Sequence, residues 1–373
     1  MRIAIGIVSL FPGGGLQRDC LRVIELLRER GHAVDVFAAS VDRSLIAHPG
    51  LRLLPSSAWS NHGRDFRFGQ DLAAATRGAY DVVVGFNKLP GLDVLYCADP
   101  CYAARGQWAW LPRARGRRRL EASCFSEPGR TENALLTRAA ANVYTAVWKT
   151  RTERLTILPP SIAPARIRPD LREGAVRTKL RAALGLDATR MTWLWIGSQP
   201  HTKGLDRVLT ELRHHDDVQL LVVGATGAKA ARYRSRAERI GVSGRVTWLG
   251  FREDVPEMMA VSDLMVHPAR TETTGQALLE ALVNGLPIVC TEVCGFAEHV
   301  AAADAGVVLP APFTERDFGD ALRRARDTVQ RTAWSRSALV FASRTNVTDG
   351  LLVFADLVER AGRVKEAGSG ACV

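Results

Sequence analysis

The chain has 373 residues, of which 47% are hydrophobic and 24% charged, a size and balance typical of a globular protein with about two domains. No apolar stretch approaches the ~20 residues that cross a bilayer, and the apolar N-terminal residues are too few for a secretory signal. A formal net charge of +11 indicates anionic partners, and seven cysteines without zinc-site spacing indicate reduced thiols of a cytoplasmic protein.

Strands and helices alternate along the first part of the chain. A helix is predicted over residues 17–30, with Cys20, Val23, Ile24 and Leu27 on its buried face and Gly31 after its end. Apolar runs predict strands at residues 2–8, 33–38, 81–86 and 93–98. The alternation predicts an α/β fold with parallel strands.

A glycine-rich loop follows the first predicted strand. Gly13, Gly14 and Gly15 let the backbone approach a ligand closely and direct amide donors at it. A dinucleotide cofactor is one alternative, but the spacing is not G-x-G-x-x-G, and the second strand lacks an acid at its end. Asp19, early in the following helix, is explained about equally well by function and by helix capping.

A basic segment covers residues 102–120. It contains six arginines and no acidic residue, with Tyr102, Trp108 and Trp110 interleaved. Arginine meets lipid phosphates and tryptophan settles at headgroup depth, so the segment is interpreted as facing an anionic membrane surface. A nucleic-acid surface or a solvated loop are the alternatives, and no nucleic-acid motif accompanies the segment.

A proline-spaced stretch after residue 155 predicts a linker, and a second series of strands follows it. These strands are predicted at residues 192–197, 220–224, 245–250, 263–267 and 286–290, and a last helix at 351–364. We therefore expect a Rossmann-like domain at 1–160, a second at 161–348, and a C-terminal helix within 349–373 that packs back on the first. The two domains are expected to face each other across a cleft.

Two loops of the second series carry charges suited to a diphosphate. Lys203 lies in a strand–helix turn that begins at Gly197 and can neutralise a phosphate, although an isolated lysine would be read as solvated. Glu272 and Glu280 flank a predicted helix start at Gly275, whose unpaired amides favour anions. A diphosphate there would have one carboxylate near each end, an arrangement that suits a nucleotide-sugar. No D-x-D motif is present, so no metal or other cofactor is expected.

These motifs resemble those of retaining nucleotide-sugar glycosyltransferases with two Rossmann-like domains, the GT-B type. More narrowly, the chain resembles the lipopolysaccharide core glucosyltransferase I family over nearly its whole length. The matching segments are residues 11–19, 61–64, 85–94 and 293–295. The resemblance implies transfer of glucose from UDP-glucose to a heptose of the inner core on lipid A, with retention, by a peripheral protein on the cytoplasmic face of the inner membrane.

The resemblance also implies roles for individual residues. Glu280 would hold the ribose, Glu272 the glucose hydroxyls, and Lys203 the diphosphate, while Asp19 and Asp99 would face the acceptor. Further donor contacts would come from Gly14, Gly15, Arg166, Thr274, Gly275 and Gln276. The membrane contact would come from Trp108, Trp110, Arg113, Arg115, Arg117, Arg118 and Arg119.

Two positions depart from the family pattern. Thr202 stands where many relatives have arginine, and Ser161 follows the prolines where glycine is frequent. The alternatives are a related transferase with another UDP-hexose or acceptor, a UDP-sugar 2-epimerase, a nicotinamide-dependent oxidoreductase, and a non-catalytic membrane scaffold.

Overall fold

The computed structural model describes residues 1–12, 14–56, 60–104 and 110–370. The chain divides into two compact units. Unit 1 comprises Met1–Ser161 and the C-terminal segment from Asp349, and unit 2 comprises Ile162–Thr348. No helix within the described ranges is long and apolar enough to cross a membrane.

Unit 1 contains a seven-stranded parallel sheet in the order β3-β2-β1-β4-β5-β6-β7. Its strands are β1 Arg2–Leu10, β2 Ala33–Val41, β3 Leu51–Leu53, β4 Val82–Gly85, β5 Val94–Cys97, β6 Glu132–Leu135 and β7 Leu155–Ile157. Its α-helices are α1 Gly15–Glu29, α2 Asn61–Thr76, α3 Pro112–Phe125, α4 Arg138–Trp148 and, at the C-terminus, α13 Gly350–Gly370.

Both faces of this sheet are buried, as is usual for parallel strands that are joined by helices. Ile3, Ile5 and Ile7 of β1 point into one core, and Ala4 and Val8 point into the other. The C-terminal helix α13 closes the first of these cores. Its Phe354 packs edge-on against the ring of Tyr96, with 5.1 Å between ring centroids.

Unit 2 contains a six-stranded parallel sheet in the order β10-β9-β8-β11-β12-β13. The strands are β8 Met191–Ile196, β9 Val218–Val223, β10 Val246–Gly250, β11 Leu264–His267, β12 Ile288–Thr291 and β13 Gly306–Leu309. The helices are α5 Gly174–Ala183, α6 Leu205–Leu212, α7 Gly227–Arg239, α8 Val255–Val261, α9 Gln276–Val283, α10 Ala297–Ala302, α11 Glu315–Arg324 and α12 Thr328–Arg344. Short 3-10 helices occupy Arg43–Leu45, Thr152–Arg154, Pro164–Arg166, Pro169–Arg172 and Ser243–Arg245.

The predicted α/β class with two parallel sheets is confirmed, as are the four predicted strands of unit 1 and the five of unit 2, to within a few residues at their ends. The predicted buried face of α1 is also confirmed. In each unit the chain adds strands on one side of its first strand and then returns to the other side. The reversal falls between β1 and β4 in unit 1 and between β8 and β11 in unit 2. Ligands of open α/β sheets bind at such reversals, beyond the carboxyl ends of the strands.

Candidate active site

The loops that follow β8 and β11 lie side by side at the strand reversal of unit 2. Arg270 joins them: its backbone N–H donates to Thr202 O at 2.8 Å, and its guanidinium forms two hydrogen bonds with the carboxylate of Asp206. A planar guanidinium that meets a carboxylate through two donors fixes orientation as well as distance. The sequence interpretation missed Arg270 and Asp206, although both flank predicted site residues.

Gly204 and Gly275 begin the two helices that start from these loops. Gly204 precedes α6 with φ +73°, and Gly275 precedes α9 with φ +94°, a backbone conformation that L side chains rarely adopt. A Cβ on Gly204 would also lie 2.0 Å from the carbonyl oxygen of Pro268. The close approach of the two loops therefore depends on this glycine.

Lys203 and Glu272 form an ion pair between the two loops, Nζ to Oε2. The Lys203 side chain is 20% exposed and that of Glu272 13%, so the pair lies in a largely dehydrated place. Burial lowers the pKa of Lys203 to about 8, with a smaller opposing effect from Cys294. The Lys203 side chain lies close to Gly197, where a Cβ would be 3.0 Å from Cγ of Lys203. The structure thus brings together two residues that sequence reasoning assigned to one ligand.

His267 is the last residue of β11 and is 1% exposed, a position that the sequence alone fits equally to a core and to a site residue. Its Nε2 lies 3.5 Å from Oε2 of Glu272, beyond hydrogen-bond distance. Within the described ranges neither ring nitrogen has a hydrogen-bond partner. Burial, with a smaller contribution from the charge of Lys203, lowers the pKa of His267 to about 3, so the imidazole is neutral.

Glu280 lies on the inner side of α9 and is 7% exposed. Its Oε2 is 3.7 Å from Nη1 of Arg166, a residue of the short 3-10 helix at Pro164–Arg166. The helix begins at Gln276, one residue after the predicted start at Gly275, so Glu280 lies about one turn inside it. Arg166 therefore belongs beside Glu280, whereas Lys203 belongs beside Glu272.

The helix start of α9 is held by the neighbouring segment. The carbonyl oxygen of Thr274 accepts a hydrogen bond from the backbone N–H of Phe296 at 2.7 Å, and Glu272 forms an isolated parallel bridge with Cys294. These backbone contacts fix the loop that carries Glu272 and Thr274. None of the described residues form a group of three or more His, Cys, Asp or Glu placed to hold a metal ion.

In unit 1, Gly14 is the N-cap of α1 and Gly15 its first residue, while Gly13 lies outside the described residues. A Cβ on Gly15 would meet no atom within 4 Å, so the backbone here faces open space. Neither described glycine has a positive φ. Gly15 therefore leaves room for an approaching ligand, whereas a Cβ on Gly14 would collide with the side chain of Gln17.

Asp19 lies one turn inside α1, and capping does not explain it, since the capping position is Gly14. Its carboxylate accepts a hydrogen bond from the Tyr96 hydroxyl at 2.9 Å, and burial raises its pKa. Asp99 follows β5, and its carbonyl oxygen accepts a hydrogen bond from the Tyr144 hydroxyl at 3.1 Å. Both aspartates thus lie near the carboxyl end of β5.

A buried ion pair supports this region, and the sequence analysis did not identify it. Lys88 Nζ lies 2.7 Å from Oε1 of Glu121, whose side chain is fully buried. Glu121 also accepts hydrogen bonds from the backbone N–H groups of Tyr102 and Ala103, both at 2.9 Å. The signal was a single acid after a run of arginines in α3. This network ties the segment after β5 to that helix.

Nearly half of the basic segment, residues 112–120, belongs to helix α3, so a solvated loop is wrong for those residues. Its side chains nevertheless face outward: Arg113, Arg115, Arg118 and Arg119 are exposed, and Trp110 is 69% exposed. Arg117 is half-buried, with its guanidinium 4.8 Å from the centre of the Tyr102 ring. Trp108 and Arg105 lie outside the described residues.

Comparisons with known proteins place this geometry among glycosyltransferases. The family model for glycosyl transferases group 1 matches residues 176–337, which include Lys203, Glu272 and Glu280. The lipopolysaccharide glucosyltransferase WaaG of Escherichia coli strain K12 is 34% identical over 357 residues, 92% of this chain and 94% of that protein.

Two solved structures are similar to nearly the whole chain. A crystal structure of WaaG, a glycosyltransferase involved in lipopolysaccharide biosynthesis, superposes with a TM-score of 0.88 at 32% identity and covers 95% of this chain and 99% of that one. The Anabaena protein HepE in complex with UDP-glucose superposes with a TM-score of 0.72 at 17% identity, covering 96% of this chain and 98% of that one. The latter similarity shows the fold alone, and the fold is GT-B.

Proposed function

The chain belongs to the family of the lipopolysaccharide glucosyltransferase WaaG, and on that premise we propose that it transfers glucose from UDP-glucose to a heptose of the lipopolysaccharide inner core, with retention at the anomeric carbon. The observation that carries the proposal is the pairing of Lys203 with Glu272 at the strand reversal of unit 2. This pair places a cation that can bind a diphosphate in contact with a carboxylate that can bind sugar hydroxyls.

The donor would lie along the start of α9. Lys203 would bind the diphosphate together with the amides of Gly275 and Gln276, because helix starts favour anions. Glu272 would accept hydrogen bonds from the glucose hydroxyls and Glu280 from the ribose, with Arg166 holding Glu280 in place. In unit 1, Gly14 and Gly15 would supply amide donors, and Gly15 would leave room for a ligand.

The transition state develops negative charge on the leaving UDP. Lys203 and the amides at Thr274 and Gly275 would stabilise that charge from positions fixed before the reaction begins, which is where electrostatic catalysis is most effective. The acceptor hydroxyl would attack from the face that UDP leaves, and a diphosphate oxygen would take its proton. Asp19 and Asp99 would orient the acceptor, and no metal or other cofactor is required by this scheme.

The acceptor is part of a membrane lipid, so the protein must reach a membrane surface. We propose that α3 and the residues before it bind the anionic cytoplasmic face of the inner membrane, since exposed arginines attract anionic headgroups and Trp110 prefers the interface. The proposed contact residues are Trp108, Trp110, Arg113, Arg115, Arg117, Arg118 and Arg119.

A donor panel in a thermal unfolding assay tests the proposed donor. UDP-glucose and UDP should stabilise the protein, by about 2.7 kcal/mol at a concentration of ~100 times Kd. ADP-glucose and NAD should give no shift. Stabilisation by NAD and not by UDP would indicate an oxidoreductase instead of a transferase. No change in thermal stability with any of these ligands would favour a non-catalytic scaffold.

A further inference from the structure

His267 has a position that neither core packing nor the proposed donor contacts explain. Its side chain is 2% exposed, and within the described part of the chain both ring nitrogens are buried without a hydrogen-bond partner. Buried polar atoms in proteins are almost always paired, since an unpaired one loses its hydration without compensation. An apolar side chain would fill the end of β11 without burying unpaired polar atoms, so packing alone does not explain an imidazole at this position.

The neighbour of this imidazole is Glu272. Oε2 of Glu272 contacts Nζ of Lys203, and the same oxygen lies 3.5 Å from Nε2 of His267. A hydrogen bond between nitrogen and oxygen requires about 2.7–3.2 Å. In the free protein, Oε2 of Glu272 therefore binds the ammonium group of Lys203, and the imidazole of His267 lies just beyond hydrogen-bond distance of the same oxygen.

Donor binding changes what Lys203 must neutralise, a step that rests on the function proposed above. A diphosphate carries more negative charge than one carboxylate, so it competes for the ammonium group. Glu272, with a side chain 13% exposed, would then keep its negative charge beside an anion and without its counter-ion. A carboxylate in that position requires another hydrogen-bond donor.

We infer that His267 is a positioning residue: its Nε2–H binds Oε2 of Glu272 when the diphosphate of a nucleotide-sugar takes Lys203, and so holds that carboxylate toward the hexose hydroxyls. A neutral imidazole is suited to this exchange. It donates one proton from Nε2 and keeps its lone pair on Nδ1, and it adds no positive charge that would repel Lys203. The contact is made in the donor complex and is open in the free protein.

Two substitutions of similar size and polarity test the contact. In His267→Gln the amide nitrogen occupies roughly the place of Nε2 and can still donate to Glu272, whereas in His267→Asn it reaches only the place of Nδ1. Calorimetric Kd values for UDP-glucose, UDP and uridine are measured for both variants, with thermal unfolding to establish that each is folded. Uridine lacks the diphosphate and serves as the ligand control.

The Asn variant is expected to bind UDP-glucose about 10- to 100-fold more weakly, the range of one hydrogen bond to a charged group. Its affinity for UDP should also fall, and its affinity for uridine should be unchanged. The Kd values of the Gln variant should stay within about threefold of those of the wild-type protein. In a Glu272→Gln background the difference between Asn and Gln at position 267 should disappear, because a neutral amide needs no replacement for the charge of Lys203.

Equal losses for the Asn and Gln variants, or equal effects with and without Glu272→Gln, would overturn the inference and leave a merely structural histidine. Those outcomes leave the proposed function intact, since the wild-type protein still binds UDP-glucose. Failure of the wild-type protein to bind either UDP or UDP-glucose would remove the proposed function and this inference together.

Discussion

Replacing Lys203 by methionine should separate the stability of the site from its catalysis. Methionine keeps most of the length of the side chain and removes the charge, so Glu272 loses its counter-ion in a place where its side chain is 13% exposed. Breaking a buried ion pair from one side costs roughly 3–5 kcal/mol. Because both side chains retain some exposure, we expect Lys203→Met to lower the free energy of unfolding by about 2 kcal/mol.

The effect on the reaction should be larger and of different origin. Removal of one group that stabilises charge in a transition state lowers kcat by roughly 10²- to 10³-fold. The double variant Lys203→Met/Glu272→Gln should regain most of the lost stability, because no unpaired charge remains buried, and should regain no turnover. Denaturant unfolding and the rate of hexose transfer from UDP-glucose measure the two quantities on the same preparations.

A matched control is available in α7, which contacts the same turn. Lys229 is exposed and donates to the side chain of Gln199 at 2.9 Å, so Lys229→Met removes a lysine that touches this turn without touching Glu272. It should keep both stability and rate. Glucose transfer by Lys203→Met at the wild-type rate, or recovery of rate together with stability in the double variant, would contradict the role of Lys203.

Three further predictions concern pH, the membrane and the buried pair of unit 1. The pKa of Lys203 is lowered to about 8 by burial, so kcat/KM for UDP-glucose should fall as the pH rises through about 8 and Lys203 loses its proton. Lys203→Arg should move that fall to higher pH, because arginine stays protonated. A pH profile that is the same in Lys203→Arg would contradict the role assigned to Lys203. Glutamine at three exposed arginines of α3 should weaken binding to anionic vesicles about 100-fold, at ~1 kcal/mol for each charge, and binding should weaken with salt. The substituted residues are Arg113, Arg115 and Arg118, and the matched control substitutes Arg232, Arg234 and Arg239 of α7, which are equally exposed. An equal loss in the control would mean that net charge alone drives binding. Lys88→Met should cost about 3–5 kcal/mol in unfolding free energy because Glu121 is fully buried, and Lys88→Met/Glu121→Gln should cost less; equal costs would show that the charge is not the cause.

The fold was predictable where apolar residues repeat at the period of a strand or helix. The face of α1 and the strands β8, β9 and β11 were found in this way. Helix α3 was missed because arginines take five of its first eight residues and its buried residues are confined to its end, Leu120, Glu121, Cys124 and Phe125. Strands β3 and β7 are three residues long and lie at sheet edges, so they carry too few apolar residues for a pattern.

The candidate site was predictable as a set of charges and not as a set of contacts. Strand–helix turns located Lys203 and Glu272, since polar residues after buried strands meet at one sheet edge. The ion pair between them, the Arg270–Asp206 pair that joins their loops, and the open contact of His267 depend on distances across the chain. Sequence spacing does not contain those distances, and His267 reads equally well as core.

Mass spectrometry of a heptose-terminated lipopolysaccharide core, incubated with the purified protein and UDP-glucose, shows directly whether glucose is transferred to this acceptor. We expect a gain of one hexose with the wild-type protein and with Lys229→Met, and none with Lys203→Met. An unchanged mass with the wild-type protein, under conditions in which UDP-glucose binds, would contradict the proposed acceptor. A hexose gained equally with Lys203→Met would contradict the proposed site.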